Sequence, residues 1–176
     1  MIIFSFEPIA SRNKKQSGFS ILELMIVVAI AGILAAVAVP EMRNFLLTQQ
    51  VRTAASDAHL SLILARSEAI KRNASVVITP LSGSDWKSGW RVDAPGPTLI
   101  RQQDALSTAV TVTCAAACPT TLTYLRSGRI NSTTAPELRF YINGNTKVKM
   151  RCLGLSLSGK PLIEVDSDTN SANGCG

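Results

Sequence analysis

The chain has 176 residues, 46% of them apolar and only 17% charged, with a formal net charge of +6. Its single histidine, His59, excludes zinc and acid–base sites built on two histidines, and no G-x-S-x-G, phosphate-loop or H-E-x-x-H pattern is present. Composition therefore points to a binding or structural protein with no metal and no cofactor, not an enzyme.

The first informative element is residues 19–39, an apolar run of 21 residues whose one charge is Glu23. A helix of about 20 residues spans the ~30 Å hydrocarbon core of a bilayer, so this run predicts a transmembrane helix. A carboxylate within such a helix costs roughly 2.5–3.5 kcal/mol on insertion scales, so Glu23 calls for a partner. Ala29, Gly32 and Ala36 recur at three- and four-residue steps and let another helix approach closely. Pro40 removes a backbone donor and is expected to loosen the helix near the carbonyl of Ala36. Ahead of the run, Arg12, Lys14 and Lys15 outnumber Glu7, which places the N-terminus in the cytoplasm and the rest of the chain outside.

Two processing schemes compete. In one, the chain is a secreted globular protein with an ordinary signal peptide, cut at Ala36-Val37-Ala38. Against it, the apolar run exceeds the usual ~7–15 residues of a signal core, contains a carboxylate, and is followed by continued helical patterning. In the other, a leader of residues 1–18 is removed after Gly18 and the apolar helix stays on the mature protein.

Residues 40–72 keep a helical period. Phe45, Val51, Ala55, Ala58, Leu62, Ala65 and Ala69 form an apolar stripe, with Arg52, Asp57, Arg66, Glu68 and Arg72 on other faces and Asn73 as terminator. Residues 73–176 change to short β-branched runs at 75–79, 89–92, 98–101, 110–113, 121–124, 137–142, 146–153 and 161–165, separated by turn residues. Asn143-Gly144 is the strongest hairpin signal. Trp86 and Trp90 are expected to pack a sheet edge. The fold class is α+β: a long N-terminal helix, transmembrane then amphipathic, packed on an antiparallel β-sheet head.

All four cysteines lie in that head, and an even number outside the cytoplasm predicts disulfides with three connectivities open. The expected one closes Cys114 on Cys118 and ties the Gly/Asn/Ser-rich tail through Cys152 and Cys175. That second bridge is worth on the order of 3 kcal/mol in the chain-entropy account. Removing the leader takes away three cations and one Glu, so +6 falls to +4. Most of the excess lies at Arg126, Arg129, Arg139, Lys147, Lys149 and Arg151, with Lys160 following. Lys147, Lys149 and Arg151 alternate, which on a strand gives one basic face. Such a face is either solvated or a line of phosphate contacts for DNA.

The block Lys14-Lys15-Gln16-Ser17-Gly18-Phe19-Ser20-Ile21-Leu22-Glu23-Leu24 resembles the leader junction of type IV pilins and type II secretion pseudopilins. Three segments are similar to the GspH/FimT branch of that family: 62–70 around Arg66-Ser67-Glu68-Ala69, 124–129 around Gly128-Arg129, and 152–161 around Gly159-Lys160. The resemblance implies cleavage between Gly18 and Phe19 by a prepilin peptidase, N-methylation of Phe19, and a role for Glu23 and Pro40 in assembly. It implies a pilin-like fold in a minor pilin or pseudopilin acting in assembly or initiation near a filament tip, with other pilin subunits as partners. The expected location is the bacterial inner membrane, single-pass with a periplasmic head, then the filament. Some FimT-like members promote DNA uptake with a terminal G-R-x-R motif. Here Gly159-Lys160-Pro161-Leu162 keeps one cation, so Lys147, Lys149, Arg151 and Lys160 are the candidate DNA contacts. N-terminal sequencing of the mature protein is expected to start at Phe19; a start at Val39 would establish the ordinary signal peptide instead.

Overall fold

The computed structural model describes residues 18–96, 98–168 and 174–175, so the leader up to Ser17 lies outside the described residues. The chain divides into two compact units, one through Pro40 and one from Glu41 onward. Helix α1 (Ile21–Arg72) contributes to both and contains Pro40.

In the first unit, Ser20 is the N-cap. Its Oγ accepts the backbone N–H of Glu23 at 3.2 Å and its carbonyl accepts that of Leu24 at 3.1 Å. The apolar side chains from Ile21 through Val39 are exposed along the whole run, so lipid or other helices must cover them.

In the second unit, α1 buries Val51, Ala54, Ala55, Ala58, Ser61, Leu62, Ala65 and Ala69. Phe45, expected on this stripe, is 56% exposed. The head covers the helix only from about Leu47, which is half-buried and packs on the core. Asn73 ends the helix with φ 51°, donating to Ile70 while Ala74 donates to Ala69. These are the two bonds of a Schellman cap, with Asn where Gly is usual.

Among the described residues, the head has eight antiparallel strands: β1 (Val76–Ser82), β2 (Asp85–Ala94), β3 (Thr98–Gln103), β4 (Val110–Cys114), β5 (Leu122–Tyr124), β6 (Glu137–Ile142), β7 (Arg151–Leu155) and β8 (Pro161–Val165). They form two four-stranded sheets, ordered β3-β2-β1-β5 and β4-β6-β7-β8. Ile78, Trp90 and Val92 from the first and Leu138, Phe140, Leu153 and Leu155 from the second join the helix residues in one core. Trp86 and Trp90 lie inside that core and not at an edge. The Trp90 Nε1–H donates to Ser61 Oγ at 2.9 Å, and the Trp86 Nε1–H donates to the Pro119 carbonyl at 2.9 Å. Buried indoles need such acceptors.

The expected hairpin at Asn143-Gly144 does not form as a two-residue turn. A type I′ turn requires positive φ at both central residues, and only Gly144 has it, at 72°. Residues 143–150 instead form a loop between β6 and β7, with Val148 and Met150 buried and Asn145 Nδ2 donating to Asn44 Oδ1 at 3.2 Å.

Three segments far apart in sequence meet at the end of α1. Residues 125–129 and 156–160 make the same turn: the fourth residue donates to the first, the first to the fifth, and the fourth (Gly128 or Gly159) is left-handed. A Cβ on Gly128 would lie 2.7 Å from Ile70 Cδ1 and 3.2 Å from Arg66 Nε, while one on Gly159 would collide with the Gly128 carbonyl. Arg66 Nη2 donates to the Ser158 carbonyl at 3.3 Å, and the buried Tyr124 hydroxyl donates to Gly159 O at 3.1 Å. Burial pushes the Tyr124 phenol well above its usual range, opposed by the nearby Arg66 charge. Gly159→Ala is expected to destabilise the full chain in detergent by about 3 kcal/mol, combining left-handed strain with a backbone collision. Gly144→Ala, whose Cβ would meet nothing within 4 Å, carries only the strain, about 1 kcal/mol. Equal melting temperatures for the two variants would show that the turn contact is not tight.

Candidate functional site

The first candidate site is the start of α1. Gly18 and Phe19 are exposed and precede the N-cap. Phe19 is thus outside the helix in the chain that still carries residues 1–18. Ser20 and Glu23 instead stand at the N-cap and N3 positions, an S-x-x-E spacing readable in the sequence but overshadowed by the charge of Glu23. Only the backbone half of this capping arrangement is made. Among the described residues, the Glu23 carboxylate accepts no hydrogen bond and pairs with no cation. Ala29, Gly32 and Ala36 are exposed, and a Cβ on Gly32 would meet nothing within 4 Å.

A second exposed apolar surface lies on α1 beyond Pro40. Met42, Phe45, Leu46, Leu60, Ile63 and Ile70 are all exposed, and most of them recur at helical spacings opposite the buried alanines.

The cations expected to form one strand face are dispersed. Lys147 and Lys149 lie in the 143–150 loop, because the buried Val148 and Met150 draw that loop toward the core and β7 starts only at Arg151. Lys147 Nζ is 2.9 Å from Glu41 Oε1, and its backbone N–H donates to Asn145 Oδ1. Arg151 is half-buried; burial first, and then the charge of Arg52, holds its guanidinium below its ordinary range. Lys160 is exposed beside Gly159. The touching turns bring Lys160 toward the exposed Arg126 and Arg129, which flank Gly128. Among the described residues, none of these three has a carboxylate within ion-pair distance. Sequence spacing did not reveal this grouping, because it depends on contact between two turns about 30 residues apart.

The cysteines pair as Cys114–Cys118, with Cα atoms 5.2 Å apart, and Cys152–Cys175, with Cα atoms 5.9 Å apart. The first closes the loop leading to Pro119, the acceptor for Trp86. The second brings Gly174 against the Arg139 guanidinium beside β7. Among the described residues no cluster of three or more His, Cys, Asp or Glu is arranged to hold a metal ion.

An apolar, capped N-terminal helix that continues into a head of antiparallel sheets is a pilin-like architecture. Residues 54–159 match the family described as Type II transport protein GspH, and residues 13–39 match the prokaryotic N-terminal methylation motif. The chain belongs to the GspH family. It is 44% identical over 64 residues to a fimbrial protein of Pseudomonas aeruginosa, covering 36% of this chain and 41% of that protein. It is 52% identical over 42 residues to the type IV major fimbrial protein FimA of Dichelobacter nodosus, covering 24% of this chain and 27% of that one. The chain thus spans well under half the length of these relatives. The crystal structure of the type IV minor pilin FimU of P. aeruginosa shares the fold, with a TM-score of 0.59 at 23% identity over 69% of this chain and 96% of that one.

Proposed function

We propose that this chain is a minor pilin or pseudopilin, a non-enzymatic subunit of a type IV filament machine acting in assembly or initiation near the tip. The observation that carries the reading is Glu23: a carboxylate without a partner among the described residues, in an otherwise apolar and uncovered helix. In a bundle of such helices it accepts a charge-assisted hydrogen bond from the N-terminal amine of a neighbouring subunit, which satisfies two groups that are costly to bury alone. Prepilin peptidase cleavage between Gly18 and Phe19 creates that amine, and N-methylation of Phe19 leaves it a cation. The small-residue positions Ala29, Gly32 and Ala36 admit close helix approach, Pro40 supplies local give, and the exposed Leu60 and Ile63 extend the contact into the head. Before assembly, the helix holds the protein in the inner membrane with the head in the periplasm.

The match to the GspH family and to the methylation motif supports this reading, and so does the fold shared with a minor pilin. Glu23→Ala is expected to leave membrane insertion unchanged and to lower the amount of the subunit in sheared filaments about tenfold or more, since losing the pair is worth over 1.4 kcal/mol. Quantitative blotting of membrane and filament fractions measures both. Wild-type incorporation of the variant would remove the central support.

A second reading is DNA contact for natural transformation. It is favoured by the unpaired exposed cations Arg126, Arg129 and Lys160 on adjoining turns, with Lys149 and Arg151 contributing on the β6–β7 side and Lys147 held by Glu41. Backbone-phosphate binding by about three cations predicts that log affinity falls against log salt with a slope of roughly −3. Arg126→Glu with Lys160→Glu is expected to abolish duplex binding by the full chain in detergent at low salt. Unchanged binding, or none by the wild type, excludes this role.

A further inference from the structure

We infer that the cavity under the β6–β7 loop is a calcium site organised by Asp166. Asp166 follows β8 and is only 1% exposed. Its backbone N–H donates to the Met150 carbonyl at 3.0 Å, and its Oδ1 accepts the Asp168 N–H at 3.3 Å. Its Oδ2 is buried and has no hydrogen-bond partner. A carboxylate oxygen so buried is costly to leave unpaired unless a cation or donor meets it.

The surroundings define what can meet it. Asp166 lines a cavity of about 160 Å³ together with the polar Tyr141, Asn145 and Thr146, the backbone of Gly144, and the apolar Ile142, Val148 and Met150. Apart from the apolar side chains, the groups that line it are oxygens: a phenol, a hydroxyl, backbone carbonyls and the Asn145 Oδ1, which also accepts the Lys147 N–H. No histidine or cysteine lines the space, so the donor set does not suit zinc or copper. Of the cations next to this lining, Lys147 is engaged by Glu41 at 2.9 Å, and neither Lys149 nor Arg151 pairs with Asp166. An irregular loop with few formal charges and several neutral oxygens suits calcium, which accepts six to eight oxygens in flexible geometry, better than magnesium, which demands a near-ideal octahedron. One carboxylate with neutral ligands corresponds to the weak end of calcium binding, roughly 10⁻⁴–10⁻³ M, the range of extracellular modules. Occupancy joins the 143–150 loop to the end of β8, two segments otherwise linked here by the Asp166–Met150 backbone bond.

The test uses the full chain in detergent, stripped with EDTA and then titrated with CaCl₂ or MgCl₂. Calcium is expected to raise the melting temperature by about 3–6 °C at several times the dissociation constant, and magnesium by clearly less. Asp166→Asn removes the unpaired charge while keeping the shape. In EDTA it is expected to melt at or above the wild type, and to lose the calcium response. No calcium shift in the wild type, or an equal shift in Asp166→Asn, overturns the site. Should the variant fail to fold, wild-type terbium luminescence excited through Tyr141 decides. Emission that calcium competes away supports the site, and absence of sensitised emission overturns it.

Discussion

In the head, the indole N–H of Trp90 donates to the Ser61 hydroxyl at 2.9 Å, and that hydroxyl donates in turn to the Asp57 carbonyl at 2.8 Å. This short chain of bonds lies on a helix face dominated by Ala54, Ala55, Ala58, Ala65 and Ala69, with Val51 and Leu62 as its larger members. A face of alanines supplies little apolar area of its own, so the large side chains must come from the sheets. Trp90, Phe140, Leu138 and Leu153 provide them, all buried to within 1%. Ser61 gives the bulkiest of these a polar anchor that alanine would not. Without it the indole N–H would stay buried and unsatisfied, at about 1–3 kcal/mol. Such small residues let both sheets contribute to one core against a single helix.

The end of that helix is fixed by a different kind of constraint. Arg66, Ile70, Gly128 and Gly159 occupy a junction where two identical turns touch, and the glycines are needed there because a methyl group would meet atoms already in place. The segments that carry the resemblance to the GspH/FimT branch are the ones that meet here. A spatial reason therefore stands behind what reads in the sequence as scattered short motifs. The same junction gathers Arg126, Arg129 and Lys160, so the charge pattern of the surface follows from the packing of the turns.

Much of the fold was legible because alternation and helical period are direct imprints of burial. In β6, Leu138 and Phe140 face inward while Glu137 and Arg139 face outward and pair with each other. The illegible parts each have a physical cause. Lys147, Lys149 and Arg151 alternate with buried Val148 and Met150, so the pattern of a strand is present without its ladder. The loop takes its bonds from Asn44, Glu41 and its own Asn145 instead. Phe45 fits the helical stripe by spacing, but spacing cannot say where along a helix its cover begins. The division into two sheets was hidden because strand runs show alternation but not which neighbour each edge chooses. At the other end, the S-x-x-E spacing of Ser20 and Glu23 marks the N-cap, but a short capping motif does not say whether its carboxylate half will form.

That capping arrangement bears on the pairing proposed for Glu23. In a complete capping box the N3 carboxylate turns back onto the N-cap backbone N–H, and its charge is spent within its own helix. Here Ser20 satisfies the Glu23 N–H at 3.2 Å, but no reciprocal bond from the Glu23 carboxylate is made among the described residues. The helix end is thus stabilised without using the side chain. The positive end of the helix dipole favours a negative charge in this first turn, by about 0.3–1 kcal/mol near water, which offsets only part of the penalty for holding a carboxylate in lipid. What is left favours a cation supplied from outside the subunit. A serine at the N-cap therefore starts the helix without drawing on the Glu23 carboxylate, which is what the proposed pairing with a neighbouring subunit requires.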